Sequence, residues 1–262
     1  MQEHLYCHFQ AVDSTNTLAV RLAEQGAEHG TVIHADCQTG GRGRGGRRFV
    51  SPAGGLYFSL ILRPEIDLCA LPLITLAAGT ALCSCLRAAA DVPVQIKWPN
   101  DLYLQDRKLA GILTESGPIR HGRTDFVVIG AGINVTTAPE QFPADLRQKS
   151  TSLAAVAARC PEREKLLPLL VDALCAAVRR LRDDNDKDAL LAEWRSFDYL
   201  RKRPLQYVCH DTVIPATGVG LADDGLYRIL DAQGKEHRIP AGDLNPIRLP
   251  LWRNVIKEMG TA

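Results

Sequence analysis

The sequence predicts an α+β protein, with a mixed β-sheet and flanking helices over residues 1–203 and a small β-rich domain over 204–262. Three observations carry this. Short β-branched and apolar runs are interspersed with long Leu/Ala stretches at helical spacing. A length of 262 residues suffices for one large core and a second small one. After Arg201-Lys202-Arg203-Pro204 the texture changes to short β-like pieces divided by turns, which reads as a small antiparallel barrel.

The elements follow in order. Leu5 to Phe9 reads as a strand, and Asp13-Ser14-Thr15-Asn16 is a cluster of helix-capping residues before Leu18 and Leu22, four apart. Gly26 and Gly30 end that helix, and Thr31 to Ala35 is β-branched and apolar, a strand that leads into a glycine–arginine loop. Leu56 to Leu62 is the next strand, and residues 71–90 are the main core helix. Val94 to Trp98 is a strand stopped by Pro99; Leu102–Leu104 and Leu109–Thr114 form a hairpin across Gln105-Asp106-Arg107; Phe126 to Val135 is one more strand. From Thr151 to Tyr199 the pattern is helical, with Leu166, Leu169, Leu170, Leu174 and Val178 as a buried stripe and the charges at 182–188 as an exposed turn. The last strands are Leu205–Cys209, Thr212–Ile214, Leu226–Leu230 and His237–Ile239.

Composition excludes several classes. A hydrophobic content of 46% and a charged content of 23% are those of an ordinary globular chain, and a net charge of +1 gives no general attraction to nucleic acid or membrane. The eight cysteines form no CxxC pair and sit mostly in apolar segments, so they read as reduced, buried thiols. No signal-peptide pattern opens the chain and no stretch reads as a membrane span, so the expected location is cytoplasmic.

The positive charge that matters is local. Gly40 to Arg48 holds five glycines and four arginines and no acid. Glycine lets backbone approach a ligand closely, and the arginine fork grips carboxylate or phosphate oxygens. Gly41, Gly43 and Gly46 formally satisfy the dinucleotide fingerprint, but that motif needs a helix directly after it, and Pro52-Ala53-Gly54-Gly55 and a strand follow instead. Nucleic-acid segments of this composition are longer, repeated and embedded in disordered sequence. Three readings stay open on the loop alone: a structured anion-binding loop, a solvated basic one and, as the least favoured, a nucleic-acid segment.

A second constellation bears on that choice. Lys97-Trp98-Pro99-Asn100-Asp101 ends a strand and Lys108-Leu109-Ala110-Gly111-Ile112-Leu113 follows across a tight turn. Asn100 and Asp101 offer hard oxygens suited to Mg²⁺ and equally read as a turn signal. Lys108 opens an apolar strand, where a neutral residue would be expected, and is a point charge for phosphate. Gly130-Ala131-Gly132-Ile133-Asn134 brings small residues and one polar tip, without the third glycine or lysine of a phosphate-binding fingerprint.

Taken together, Asp13-Ser14-Thr15-Asn16, Gln38 with Gly41-Arg42-Gly43-Arg44-Gly45-Gly46-Arg47, Ser51-Pro52, Lys97-Trp98-Pro99-Asn100-Asp101, Lys108 to Leu113 and Gly130 to Asn134 stand in the order found in biotin–protein ligases. The chain resembles that family over essentially its whole length. The resemblance implies a catalytic domain like that of class II aminoacyl-tRNA synthetases, an SH3-like C-terminal barrel, and a form without the family's N-terminal DNA-binding domain and so without DNA binding. It implies activation of biotin by ATP and Mg²⁺ to biotinyl-5′-AMP, then transfer to a lysine of a biotin carboxyl carrier protein; it leaves a homodimer open. Ser14, Thr15, Asn16, Gln38, Gly41 and Gly111 are implied at the biotin site, with Arg42, Gly43 and Arg44 over its carboxylate. Lys108 and Arg44 are implied as the catalytic charges, Lys97, Trp98, Asn100, Asp101 and Asn134 as nucleotide contacts, and Asp101 also as a Mg²⁺ ligand. The loop is expected to be a flexible lid, disordered until ligand arrives. Phe49 stands where the family usually has tryptophan, and Asp243 after Gly242 where it often has glutamate. Two rival readings are a lipoate–protein ligase and a non-catalytic biotin- or nucleotide-binding module.

Overall fold

Tyr6–Val12 (β1) and Val32–Gln38 (β2) pair in parallel, joined by the helix Thr15–Glu24 (α1). This crossover is the reason the chain opens with a capping cluster: Ser14 adopts the extended backbone of an N-cap and its hydroxyl accepts from the Thr17 amide at 3.4 Å. The computed structural model describes residues 4–66, 70–120, 122–209, 212–240 and 242–247. Within it the chain divides between Tyr199 and Leu200, four residues before the change of texture at Pro204.

The first unit continues with Gly55–Leu62 (β3), Leu71–Ala90 (α2), Gln95–Lys97 (β4), Asp101–Leu104 (β5), Arg107–Ser116 (β6), the short pair Ile119–Arg120 (β7) and Arg123–Thr124 (β8), and Val127–Asn134 (β9). Ala144–Arg147 (α3), Arg163–Arg180 (α4) and Asp184–Ser196 (α5) complete it. Seven strands form one mixed sheet in the order β1-β2-β3-β9-β6-β5-β4, antiparallel except at β1–β2. Every residue of β3 and of β9 is buried, as expected of central strands covered on both faces. On one face Ala19 and Ala23 of α1 close over Ile33, Ile61, Phe126 and Val128. The helices α2 and α4 pack on each other, α2 also against β4, β5 and β6, and α4 against β3.

The sheet register decides what faces α1. Tyr57, Gly132 and Gly111 lie side by side in one row, Ser59, Gly130 and Leu113 in the next, and Ile61, Val128 and Glu115 in the third. The first two rows thus carry small residues beside the start of α1, and the third carries the apolar contacts of its body. A cleft forms where side chains are missing.

Three sequence expectations change. Residues 151–162 are not helical: Thr151 N donates to the Lys108 carbonyl (2.9 Å), Leu153 N to Asn134 (3.0 Å) and Ala154 N to Val135 (2.9 Å), and Pro161 disfavours helix in the residue before it. Of the charges at 182–188, Asp183 caps α5 through the amides of Asn185 and Asp186, and the rest from Asp184 onward lie within that helix. The membrane reading also needs correcting, because α2 has the length and composition of a span, with a mean hydropathy of 1.6 over its most apolar window. Its burial accounts for that apolarity, since 67% of the window lies inside the fold. Cys83 on this helix is fully buried and burial pushes its thiol up to about 12, in keeping with an inert cysteine; Cys69 lies outside the described residues.

The second unit holds Pro204–Cys209 (β10), Thr212–Leu221 (β11), Tyr227–Asp231 (β12), Glu236–Ile239 (β13) and Asp243–Pro246 (β14), an antiparallel sheet in the order β13-β12-β11-β10-β14. Gly225 and Gly234 take the positive φ of 83° and 80° that their turns require. Tyr227, Ile229, Leu221, Leu205 and Leu244 are its buried core.

Candidate active site

The cleft at the start of α1 encloses about 720 Å³, counting space open to solvent. Its walls come from α1, the loop after β2, the β4–β5 turn, β6 and β9. Of the residues singled out in the sequence, Ser14, Thr15, Asn16, Gln38, Arg42, Gly43, Arg44, Asn100, Asp101, Lys108 and Gly111 all line it. Segments nearly one hundred residues apart in sequence therefore converge.

One end is neutral and dense in hydrogen bonds. Gln38 Oε1 accepts from the Thr15 amide (2.8 Å) and Thr15 Oγ1 (3.1 Å), while its Nε2 donates to Ser51 Oγ (2.8 Å). Ser59, fully buried on β3, donates to Asn16 Oδ1 at 2.7 Å and lies 2.9 Å from Thr15 Oγ1. Asn16 Nδ2 donates to the Leu113 carbonyl (3.2 Å) and to Glu115 Oε2 (2.8 Å). Both amide hydrogens of Asn16 and the hydroxyl hydrogen of Thr15 are spent inside the protein, so these residues shape the pocket, and Ser14 offers a hydroxyl there.

The other end is cationic. Lys108 Nζ pairs with Asp101 Oδ1 at 2.7 Å and lies 5.5 Å from the centre of the Phe49 ring. Its backbone is pinned on both sides, with its N–H donating to the Lys149 carbonyl at 2.7 Å and its own carbonyl accepting from Thr151. Arg44, Arg47 and Arg48 stand on the same cleft. Asn100 is structural as well as lining: its Nδ2 donates to the Ile112 carbonyl at 2.8 Å and its carbonyl accepts the Ile112 N–H at 2.9 Å, fixing the turn that carries Asp101.

Two backbone hydrogen bonds close the loop on itself. Gly43 N donates to the Arg47 carbonyl (2.6 Å) and Phe49 N to the Gly41 carbonyl (2.8 Å), with a 3-10 turn over Arg44–Gly46 between them. Gly41 sits beneath the loop, where a Cβ would strike the Phe49 carbonyl and Ser51 Oγ. Phe49 fills the first glycine row, because a Cβ on Gly111 would come within 3.1 Å of its ring and one on Gly132 would collide with it.

Four expected residues do not line the cleft. Gly41 packs below it, Trp98 is buried, and Lys97 Nζ lies over the Tyr103 ring at 5.5 Å. Asn134 is buried, with Nδ2 donating to the Thr151 carbonyl at 2.9 Å and Oδ1 without a partner among the described residues. Sequence reasoning missed Ser59 and Glu115, and it noted the small residues Gly130 and Gly132 without their places against Asn16 and Phe49. Their one visible signal is period-two spacing on their strands, and it becomes informative only once the register is known.

Asp101 is the single acid on the cleft wall, and among the described residues no cluster of three His, Cys, Asp or Glu side chains could hold a metal ion. That donor set suits a hard cation that keeps its waters and arrives with a polyphosphate, and does not suit a resident metal.

A sequence profile described as the Biotin/lipoate A/B protein ligase family matches residues 8–134. The chain is 32% identical over 250 residues to the biotin–[acetyl-CoA-carboxylase] ligase of Mycobacterium tuberculosis, covering 90% of this chain and 86% of that protein. It is 40% identical over 184 residues to the bifunctional ligase/repressor BirA of Bacillus subtilis, covering 70% of this chain and 55% of that one. Against the ligase/repressors it matches, the chain spans between 47% and 66% of their length. Among solved structures, the biotin protein ligase of Aquifex aeolicus in complex with biotin and ATP is similar with a TM-score of 0.76 and 28% identity, covering 92% of this chain and 97% of that one.

Proposed function

Because this chain belongs to the biotin/lipoate A/B protein ligase family, we propose that it is a biotin–protein ligase acting on a carboxyl carrier protein. The observation that supports this best is the mixed lining of the cleft: neutral hydrogen-bonding groups at Ser14, Thr15 and Gln38, and cations at Lys108 and Arg44. A ligand with an uncharged polar ring, an apolar tail and a terminal carboxylate fits that lining.

The chemistry then follows from charge. A carboxylate oxygen attacks the α-phosphorus of ATP, pyrophosphate leaves, and the product is biotinyl-5′-AMP. The attacking and attacked groups are both anionic, so cations fixed between them lower the barrier. In this reading Lys108 would lie between the carboxylate and the α-phosphate, and Arg44 would cover them from the loop. Phe49 leaves its two-glycine slot to admit the acyl chain, and Lys108 exchanges Asp101 for the new anions. In the second step the carrier's lysine amine attacks the acyl carbon, forms the amide and expels AMP. Mg²⁺ bound with ATP would screen the phosphates, with Asp101 as the side chain available to it. Gly41 and Asn134 would act from behind the wall, and Lys97 and Trp98 would shape the β4–β5 turn.

For the second unit, the five antiparallel strands and the bulge between Gly218 and Gly220 support an SH3-like barrel. Asp243 opens its last strand. The reading places the enzyme in the cytoplasm, where ATP and carboxylases are found, without a DNA-binding role for these residues. The test is mass spectrometry of a carrier domain incubated with the protein, ATP and Mg²⁺ together with either biotin or lipoate. One biotin added at a single lysine supports the reading. Transfer of lipoate in preference to biotin overturns it in favour of a lipoate ligase, and no transfer of either favours a binding module.

A further inference from the structure

Glu115 is an acid on an apolar strand, and the register sets it in the third row, beside Val128 and Ile61 under α1. A carboxylate beside such a surface needs donors. It has two residues' worth. The Arg42 fork reaches across from the loop, Nη2 to Oε1 at 2.9 Å and Nη1 to Oε2 at 3.3 Å, and Asn16 Nδ2 donates to Oε2 at 2.8 Å. Arg42 Nη1 also lies 3.3 Å from Thr17 Oγ1 on α1. One carboxylate thereby ties together the loop, the first turn of the helix and the sheet.

We propose that Glu115 is a positioning residue: a latch that holds the first leg of the glycine–arginine loop against the sheet and fixes the Asn16 amide at the neutral end of the cleft. This rests on the biotin-ligase reading. The two loop arginines then have separate tasks. Arg42 is the anchor, tied down by Glu115 and Thr17, and Arg44 sits beyond it on the 3-10 turn, where Gly45 and Gly46 take φ of 66° and 73°, values glycine adopts without strain. Glu115 itself does not line the cleft, so it acts on substrate only through Arg42 and Asn16. A latch at the biotin end changes how firmly the substrate is held, and leaves the charges at Lys108 in place.

The experiment uses two variants that approach the pair from opposite sides, Glu115→Gln and Arg42→Ala. The remaining loop arginines are tryptic sites, so limited trypsin digestion of the ligand-free protein reports loop release without any reaction. The pair is bidentate but half exposed on the arginine side, so cleavage after Arg44, Arg47 and Arg48 is expected to quicken about fivefold in both variants. In biotin-dependent ATP–pyrophosphate exchange, KM for biotin rises about fivefold in Glu115→Gln while kcat falls by less than about twofold. Unchanged cleavage in both variants overturns the latch, as does a fall in kcat with KM for biotin unmoved. Should Glu115→Gln fail to fold, Arg42→Ala decides on cleavage alone, since Arg42 lies on the exposed loop. A wild-type protein that shows no exchange with biotin refutes the ligase reading and leaves the cleavage result to judge the latch.

Discussion

Lys108 shows how one side chain gathers its meaning from position. Its ammonium is matched by Asp101 and lies 5.5 Å from the centre of the Phe49 ring, and its backbone is held by Lys149 and Thr151. Such a group cannot drift when a ligand arrives; it can only change partner. Lys108→Ala is expected to slow adenylate formation by about 10²–10³-fold, roughly 3 kcal/mol, as for loss of one well-aimed charge. Single-turnover measurement of biotinyl-adenylate checks this, with KM for biotin moving far less than the rate. Much of this was legible beforehand: a lysine opening an apolar strand, an arginine-rich loop and an Asn-Asp turn are each conspicuous in one dimension. What escaped was the commitment of polar atoms. Asn16 looked like a donor to substrate, yet both its hydrogens go to Leu113 and Glu115, and Asn134 spends its amide on Thr151. Satisfying buried polar groups is a three-dimensional account, and no residue announces its creditor.

Among the elements, β9 and α2 give opposite lessons about glycine. Gly130 on β9 has no room for a side chain, because a Cβ there would stand on the Asn16 amide, 2.7 Å from its Cγ and closer to Oδ1. Gly130→Ala is therefore expected to lower stability by about 1–3 kcal/mol and to weaken biotin binding by shifting Asn16. Gly79 in the middle of α2 meets only ordinary contacts, 3.6 Å to Ile96 Cγ2. Gly79→Ala should stabilise the protein by about 0.5–1 kcal/mol, since helix entropy improves without a clash. Urea titration of both variants gives the two signs. The strands and α2 were readable from β-branched runs and Leu/Ala spacing. Register was not, because β6 and β9 meet through pairings that no local pattern encodes; that Gly111 faces Gly132 and Leu113 faces Gly130 is what turns scattered glycines into a floor. The helix expected over 151–162 failed for a related reason: its amides find better partners at Lys108, Asn134 and Val135.

For the molecule as a whole, every residue lining the cleft lies before the division at Tyr199. A fragment of residues 1–199 is expected to bind biotin within about fivefold of the full chain, as a domain with its own core would. Isothermal titration of the two proteins checks it, and a fragment that folds without binding would assign part of the biotin site to the second unit. The two-part organisation was visible in the change of texture after Arg203, since a shift from Leu/Ala periodicity to short β pieces survives in composition alone.

One consequence follows from the phenyl ring of Phe49 resting in its two-glycine slot. A small ion such as acetate or inorganic phosphate carries enough charge to attract Lys108, but nothing with which to replace the van der Waals contacts that the ring would surrender. A molecule with a hydrocarbon tail brings its own replacement. A ligand whose tail took the place of the ring would thus gain greasy contact that a bare anion lacks, beyond any attraction by charge.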